Sequence, residues 1–167
     1  LLASVFAAAV IVENKEQAVS KSSLMIKNFY SEFVPEAHNE MGWYVGNMGF
    51  EMKLTSKVSK LIKHHISPIT GRILAKAGLE FGDIGGFAIH PGGRQILEAT
   101  EVALEIPKTA NRYAYETLRD FGNMSSATVL YVLKKMMSDP EGATGENILG
   151  FAFGPGLTVE SMLLERN

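Results

Sequence analysis

Apolar and polar positions change period along the chain, and the changes mark its elements. Ala8-Ala9-Val10-Ile11-Val12-Glu13 is a short apolar run closed by the polar Asn14-Lys15-Glu16-Gln17, which predicts a buried strand and then a turn. Ser23 to Phe33 alternates loosely and carries Met25, Phe29, Tyr30 and Phe33, the pattern of a strand half covered by its neighbours. Turn residues crowd Pro35 to Gly49 and are interrupted by Trp43-Tyr44-Val45, so loops around a short strand are expected there, with a second short strand over Phe50 to Leu54. The period then lengthens. Val58, Leu61, Ile62, Ile66, Ile69, Ile73 and Leu74 fall at three- and four-residue steps, predicting a helix capped by Thr55 or Ser56 and ended by Gly78, with Pro68 kinking or splitting it.

Asp83 to His90 reads as a buried strand that opens through Pro91-Gly92-Gly93 into a helix from about Arg94 to Ala103. A helix follows over Ala110 to Asp120, stopped at Phe121-Gly122, and another runs from about Met124-Ser125-Ser126 to Met137, ended by Asp139-Pro140. Asn147 to Phe153 and Leu157 to Leu164 are apolar and β-prone, joined by a tight Gly154-Pro155-Gly156 turn. Strands and helices mixed in this order indicate an α/β layered domain, one sheet covered by helices, with ligand sites at strand ends.

Composition narrows the functional classes. In 167 residues, 46% are hydrophobic and 20% charged, enough for one compact domain with a sizeable core. A formal charge of -2 gives no electrostatic reason to bind nucleic acid. The longest apolar run, Val5 to Val12, is far shorter than the roughly 20 residues of a spanning helix, and no basic stretch precedes it, so membrane insertion is not expected and cytoplasmic residence is. The chain has no cysteine, which removes disulfides, thiolate metal sites and a cysteine nucleophile from these residues. It opens at Leu1, abruptly and in an apolar stretch, as a piece of a longer protein would.

Few side chains are placed for chemistry. His90 stands at a strand end beside a glycine pair that lets a ligand approach the backbone, and the next helix begins where partial positive charge favours an oxyanion. A structural turn with a solvated histidine explains His-Pro-Gly-Gly equally well. Asn123 lies between two helices, where its amide would cap the next helix or face a cleft. His64 and His65 are adjacent on a helix and do not face one site; they read as surface residues, and no metal site is expected. His38 has no partner pattern, and Met124, Met136 and Met137 read as core filling. Gly82, Gly85 and Gly86 lack the spacing of a nucleotide-binding loop.

Three segments taken together resemble one family: Phe87-Ala88-Ile89-His90-Pro91-Gly92-Gly93, the stretch from Tyr115 through Phe121-Gly122-Asn123-Met124-Ser125-Ser126-Ala127, and Phe151-Ala152-Phe153-Gly154-Pro155-Gly156-Leu157-Thr158-Val159-Glu160. Their order and spacing are similar to the C-terminal half of type III polyketide synthases, the chalcone and stilbene synthases of the thiolase-like superfamily. The resemblance implies a thiolase-like layered fold, the C-terminal half of an αβαβα architecture. It implies an acyltransferase that condenses a starter acyl-CoA with malonyl-CoA in a homodimer, using coenzyme A thioesters as substrates and no cofactor. His90 and Asn123 would form the oxyanion hole around a thioester carbonyl, while the cysteine nucleophile belongs to the family's N-terminal half. Phe50 resembles the gating phenylalanine of the acyl cavity, and Gly92, Gly93, Ser125, Phe153, Gly154, Pro155 and Gly156 would line the substrate site. Arg94-Gln95 stands where plant members usually have Pro-Ala, which argues against a plant-type starter preference and fits a bacterial member; for such a member long acyl starters giving pyrones or resorcinols are expected first, and phenylpropanoid starters giving chalcone second. The alternatives are a ketoacyl synthase III or hydroxymethylglutaryl-CoA synthase relative, and a non-catalytic module that keeps the fold for dimerisation.

Overall fold

The structure is a computed structural model that describes residues 7–14 and 23–167. Six strands and four α-helices occur among them: β1 Leu24–Phe33, β2 Met41–Gly46, β3 Gly49–Leu54, α1 Lys57–Ala77, β4 Ile84–Ile89, α2 Arg94–Leu104, α3 Arg112–Phe121, α4 Ala127–Met137, β5 Asn147–Gly154 and β6 Thr158–Arg166. The main sheet has four strands in the order β1-β6-β5-β4. It is mixed: β4 and β5 run parallel, and the β1–β6 and β5–β6 pairs are antiparallel. Strands β2 and β3 form a separate two-stranded hairpin rather than joining the one sheet expected.

Consecutive residues of a strand face opposite sides, so burial of consecutive residues means cover on both. Phe87, Ala88 and Ile89 of β4, and Ile148, Leu149 and Phe151 of β5, are all buried. These strands form the centre of the core, and near-continuous apolar sequence is what two covered faces demand. Strand β1 alternates between half-buried and exposed positions, as its looser pattern predicts.

Helix α1 buries Val58, Ile62, Ile66, Ile69 and Ile73 and packs along α2. Pro68 does not split it: the helix is continuous from Lys57 to Ala77. The proline sits on the exposed side, where water can take up the carbonyl bond that the missing N–H leaves, while the buried isoleucines hold both halves to the core. Gly78 closes the helix in the left-handed conformation, with φ of 70°.

Two further expectations are corrected. Ala8 to Glu13 forms no strand; Val10, Ile11 and Val12 are exposed, and β propensity expresses packing against a neighbouring strand, which this run does not find among the described residues. The stretch Leu1 to Phe6 and the end of the turn expected after Asn14 lie outside the described residues. The last two helices also start later than expected. Lys108–Asn111 is a 3-10 turn ahead of α3, and residues 125–126 form a turn ahead of α4.

Candidate active site at the C-terminal ends of two parallel strands

Because β4 and β5 are parallel, their C-terminal ends lie at the same end of the sheet, and the candidate residues gather there. His90 follows β4, and its backbone N–H donates to the Phe151 carbonyl at 2.7 Å, which extends the β4–β5 ladder to the histidine itself. The chain then turns: the Gly92 N–H donates to the His90 carbonyl at 2.9 Å, and Gly93 begins α2 by accepting from Ile96 and Leu97. A Cβ at Gly92 would lie 3.6 Å from His90 Cδ2 and 3.9 Å from Nε2, so the imidazole edge lies over this glycine. At Gly93 an added Cβ would meet nothing within 4 Å. Fold contacts therefore do not require that glycine, and the backbone there is open to approach.

Burial lowers the His90 pKa below its ordinary value, because the imidazolium form is poorly solvated there. The ring is neutral at neutral pH and offers one N–H as a donor. No described side chain hydrogen-bonds it.

Asn123 arrives from the other side, between α3 and α4. Its Nδ2 donates to the Gly92 carbonyl at 3.0 Å, bridging the helix junction to the glycine over which His90 lies. Its Oδ1 accepts from the Ser125 N–H at 2.9 Å, a local turn of the kind that short amide side chains make. The amide does not cap α4, whose N-cap is Ser126; it closes the turn ahead of the helix and bridges it to Gly92. One of its two Nδ2 hydrogens is engaged on Gly92, and the second is a free donor.

Ser125 holds that turn with φ of 59°, left-handed and uncommon for a residue other than glycine. Its side chain is exposed. Phe153, Gly154, Pro155 and Gly156 occupy the end of β5 and the turn into β6, at the same end of the sheet as His90. Gly156 has φ of 92°, its N–H donates to the Met41 carbonyl at 2.7 Å, and a Cβ there would come within 2.9 Å of the Phe33 ring; glycine is needed for both reasons.

Phe50 stands apart from this group. It lies on β3 opposite Val45, next to the hairpin tip, and is 77% exposed. The hairpin is fastened to the β5–β6 turn through Met41, and Val45 lies four residues further out, about 13 Å along a strand. None of the contacts that join His90, Gly92, Asn123 and Ser125 reaches it.

The other histidines are placed elsewhere. His64 is exposed, while His65 Nε2 lies 2.8 Å from Glu36 Oε1 and His38 bonds within its own loop. Met136 is fully buried; Met124 and Met137 are half-buried. No helix among the described residues is long and apolar enough to cross a membrane. One residue of the site escaped the sequence reading. Thr128 is buried beneath the Asn123 turn, and the only signal was a hydroxyl residue near a helix start, five positions after the asparagine.

The family profile for chalcone and stilbene synthases, C-terminal domain, matches residues 25–166. An alpha-pyrone synthesis polyketide synthase-like protein of Mycobacterium tuberculosis is 29% identical over 151 residues, which cover 90% of this chain and 38% of that protein. Type III polyketide synthase A of Arabidopsis thaliana is 32% identical over 164 residues, 95% of this chain and 41% of its own. The chain thus spans about two fifths of the length of these relatives. Among solved structures, the 1,3,6,8-tetrahydroxynaphthalene synthase of Streptomyces coelicolor superposes with a TM-score of 0.80 at 26% identity, covering 86% of this chain and 41% of that one. The fold also matches a polyketide synthase of the brown alga Ectocarpus siliculosus, with a TM-score of 0.82 at 22% identity over 92% of this chain and 42% of that one. The chain belongs to the chalcone and stilbene synthases, the type III polyketide synthase family, and carries their C-terminal domain.

Proposed function

We propose that the complete protein condenses a starter acyl-CoA with malonyl-CoA, and that His90 and Asn123 supply the oxyanion hole. The observation that carries this reading is the convergence of the two side chains at Gly92, with a free Asn123 N–H and a neutral imidazole facing the end of the β4–β5 pair.

A cysteine thiolate, which these 167 residues do not contain, attacks the starter thioester carbonyl and releases coenzyme A as thiolate. Malonyl-CoA then loses carbon dioxide, and the electron pair of the broken C–C bond becomes an enolate. The enolate carbon attacks the enzyme-bound thioester and expels the cysteine thiolate. In each step negative charge builds on a thioester oxygen, and two neutral donors fixed before the reaction stabilise it without reorganising. Gly92 and Gly93 leave room at the entrance, and Ser125 and the Phe153 to Gly156 turn line the cavity, while Phe50, exposed on the β2–β3 hairpin, lies apart from these residues. Coenzyme A thioesters serve as substrates without a further cofactor. We further propose that the protein acts as a homodimer in the cytoplasm.

Family membership favours this reading over a carrier-protein-dependent condensing enzyme and over a non-catalytic module. Long acyl starters giving pyrones or resorcinols are the expected substrates and products, and the similarity to the mycobacterial alpha-pyrone synthesis protein supports the pyrone class alone.

The full-length protein incubated with malonyl-CoA and a panel of acyl-CoA starters is expected to release coenzyme A and give masses extended by malonyl-derived units. No release from any starter overturns the proposal. Asn123→Ala and His90→Ala are each expected to slow malonyl-CoA decarboxylation about 100- to 1,000-fold. Near wild-type turnover in either variant removes that residue from the oxyanion hole.

A further inference from the structure

We propose that Thr128 is a positioning residue that aims the Asn123 amide at the reacting carbonyl. The inference rests on the oxyanion reading above and extends it to a side chain that touches no substrate.

Thr128 lies in the first turn of α4 and is fully buried. Its hydroxyl makes three contacts, all within the turn that carries Asn123. It accepts from the Met124 N–H at 2.8 Å, donates to the Ser125 carbonyl at 2.7 Å, and lies 3.4 Å from Asn123 Oδ1. A hydroxyl has one hydrogen. The short bond to Ser125 takes it, so the hydroxyl acts chiefly by clamping the peptides on both sides of the Met124–Ser125 link.

That clamp has a consequence for Asn123. Ser125 is held left-handed, with φ of 59°, a conformation that persists in a serine only where the surroundings enforce it. In this conformation the Ser125 N–H points at Asn123 Oδ1, 2.9 Å away. Fixing Oδ1 fixes the other end of the planar amide: Nδ2 must face outward, one hydrogen on the Gly92 carbonyl and the other free. The reversed amide would set Nδ2 against the Ser125 N–H and Oδ1 against the Gly92 carbonyl, donor to donor and acceptor to acceptor. If the clamp is released, Ser125 relaxes, Oδ1 loses its partner and the free N–H no longer has one direction.

The test uses the full-length protein and malonyl-CoA decarboxylation. Thr128→Val keeps the shape and removes the hydroxyl; Thr128→Ser keeps the hydroxyl. Thr128→Val is expected to lower kcat about 10- to 100-fold, the scale of a misaimed group, with KM within about twofold of wild type. Thr128→Ser is expected to restore kcat to within about threefold of wild type. On an Asn123→Ala background, Thr128→Val is expected to add less than about twofold, because it acts only through that amide. Full multiplication of the two losses, or an unaltered kcat in Thr128→Val, overturns the proposal. A crystal structure of the full-length Thr128→Val protein decides it without any turnover: the Asn123 amide is expected to leave the Gly92 carbonyl, and its retention there overturns the proposal. Should Thr128→Val not fold, Thr128→Ala enters the same cycle. A wild-type protein that releases no carbon dioxide would sink the proposed function and leave the crystallographic arm to decide the role of Thr128.

Discussion

His90 shows how one position is tuned by its surroundings. Burial between the β5 end and the start of α2 lowers its pKa from the ordinary 6.5, so the folded protein binds that proton only at lower pH than the unfolded chain does. The sign follows from linkage: between the two values the unfolded state holds more protons, and stability falls as pH falls from about 6.5 toward the folded value. Above about 6.5 the group contributes no pH dependence. Denaturant unfolding of wild type and His90→Gln at several pH values between about 7 and 5 is expected to show a shallower loss in the variant. Equal slopes would mean that the imidazole is solvated. The buried, neutral imidazole still keeps one N–H to donate to a developing oxyanion.

The helices hold the site through polar contacts as well as apolar ones. Glu101 of α2 is buried, and its carboxylate accepts from Asn111 Nδ2 and from the Tyr115 hydroxyl, each at 3.0 Å. This ties α2, which begins beside Gly93, to α3, which ends two residues before Asn123. The Tyr115 pKa is raised, first by burial and then by its bond to Glu101, so the hydroxyl remains a donor. Glu101→Ala leaves a buried amide and a half-buried hydroxyl without their acceptor, and an unsatisfied group costs about 1–3 kcal/mol. Chemical denaturation is expected to show a loss of at least about 2 kcal/mol for Glu101→Ala and a smaller one for Glu101→Gln. Equal, negligible losses would mean that the helices are held by apolar packing alone.

Across the whole molecule, apolar surface is unevenly distributed. In the β2–β3 hairpin the pairs Met41–Leu54, Trp43–Met52 and Val45–Phe50 share one face, while Tyr44–Glu51 and Gly42–Lys53 share the other. The first face is apolar throughout, and Trp43, Val45, Phe50, Met52 and Leu54 on it are exposed. Exposed apolar patches of this kind bind apolar dyes and other apolar surfaces. The 167-residue chain is expected to enhance the fluorescence of an environment-sensitive dye, and a Val45→Glu, Phe50→Glu double variant to weaken it. An unchanged signal would show that the dye-binding surface lies elsewhere.

Much of this architecture was legible from local rules. The isoleucine ladder of α1, the continuous apolar runs of β4 and β5 and the Gly154-Pro155-Gly156 turn each combine one clear period with clear end signals, and each lies where it was expected. The sequence also brought His90 and Asn123 forward as candidates, through a strand-end glycine pair and a helix boundary. Other features depend on neighbours that are distant in the chain. Ala8 to Glu13 has the composition of a strand but no described neighbour to pair with, and Pro68 is accommodated because the buried face of α1 holds the helix on both sides. The hairpin separates from the main sheet because β6, not β2, pairs with β1. The site itself is tertiary. Gly92 and Asn123 are 31 residues apart and meet only because parallel pairing puts the ends of β4 and β5 together and the packing of α2 on α3 returns the chain to them. Residue types and local periods determined which side chains were available; the three-dimensional path of the backbone decided which way the Asn123 amide points, and with it the part that Thr128 plays.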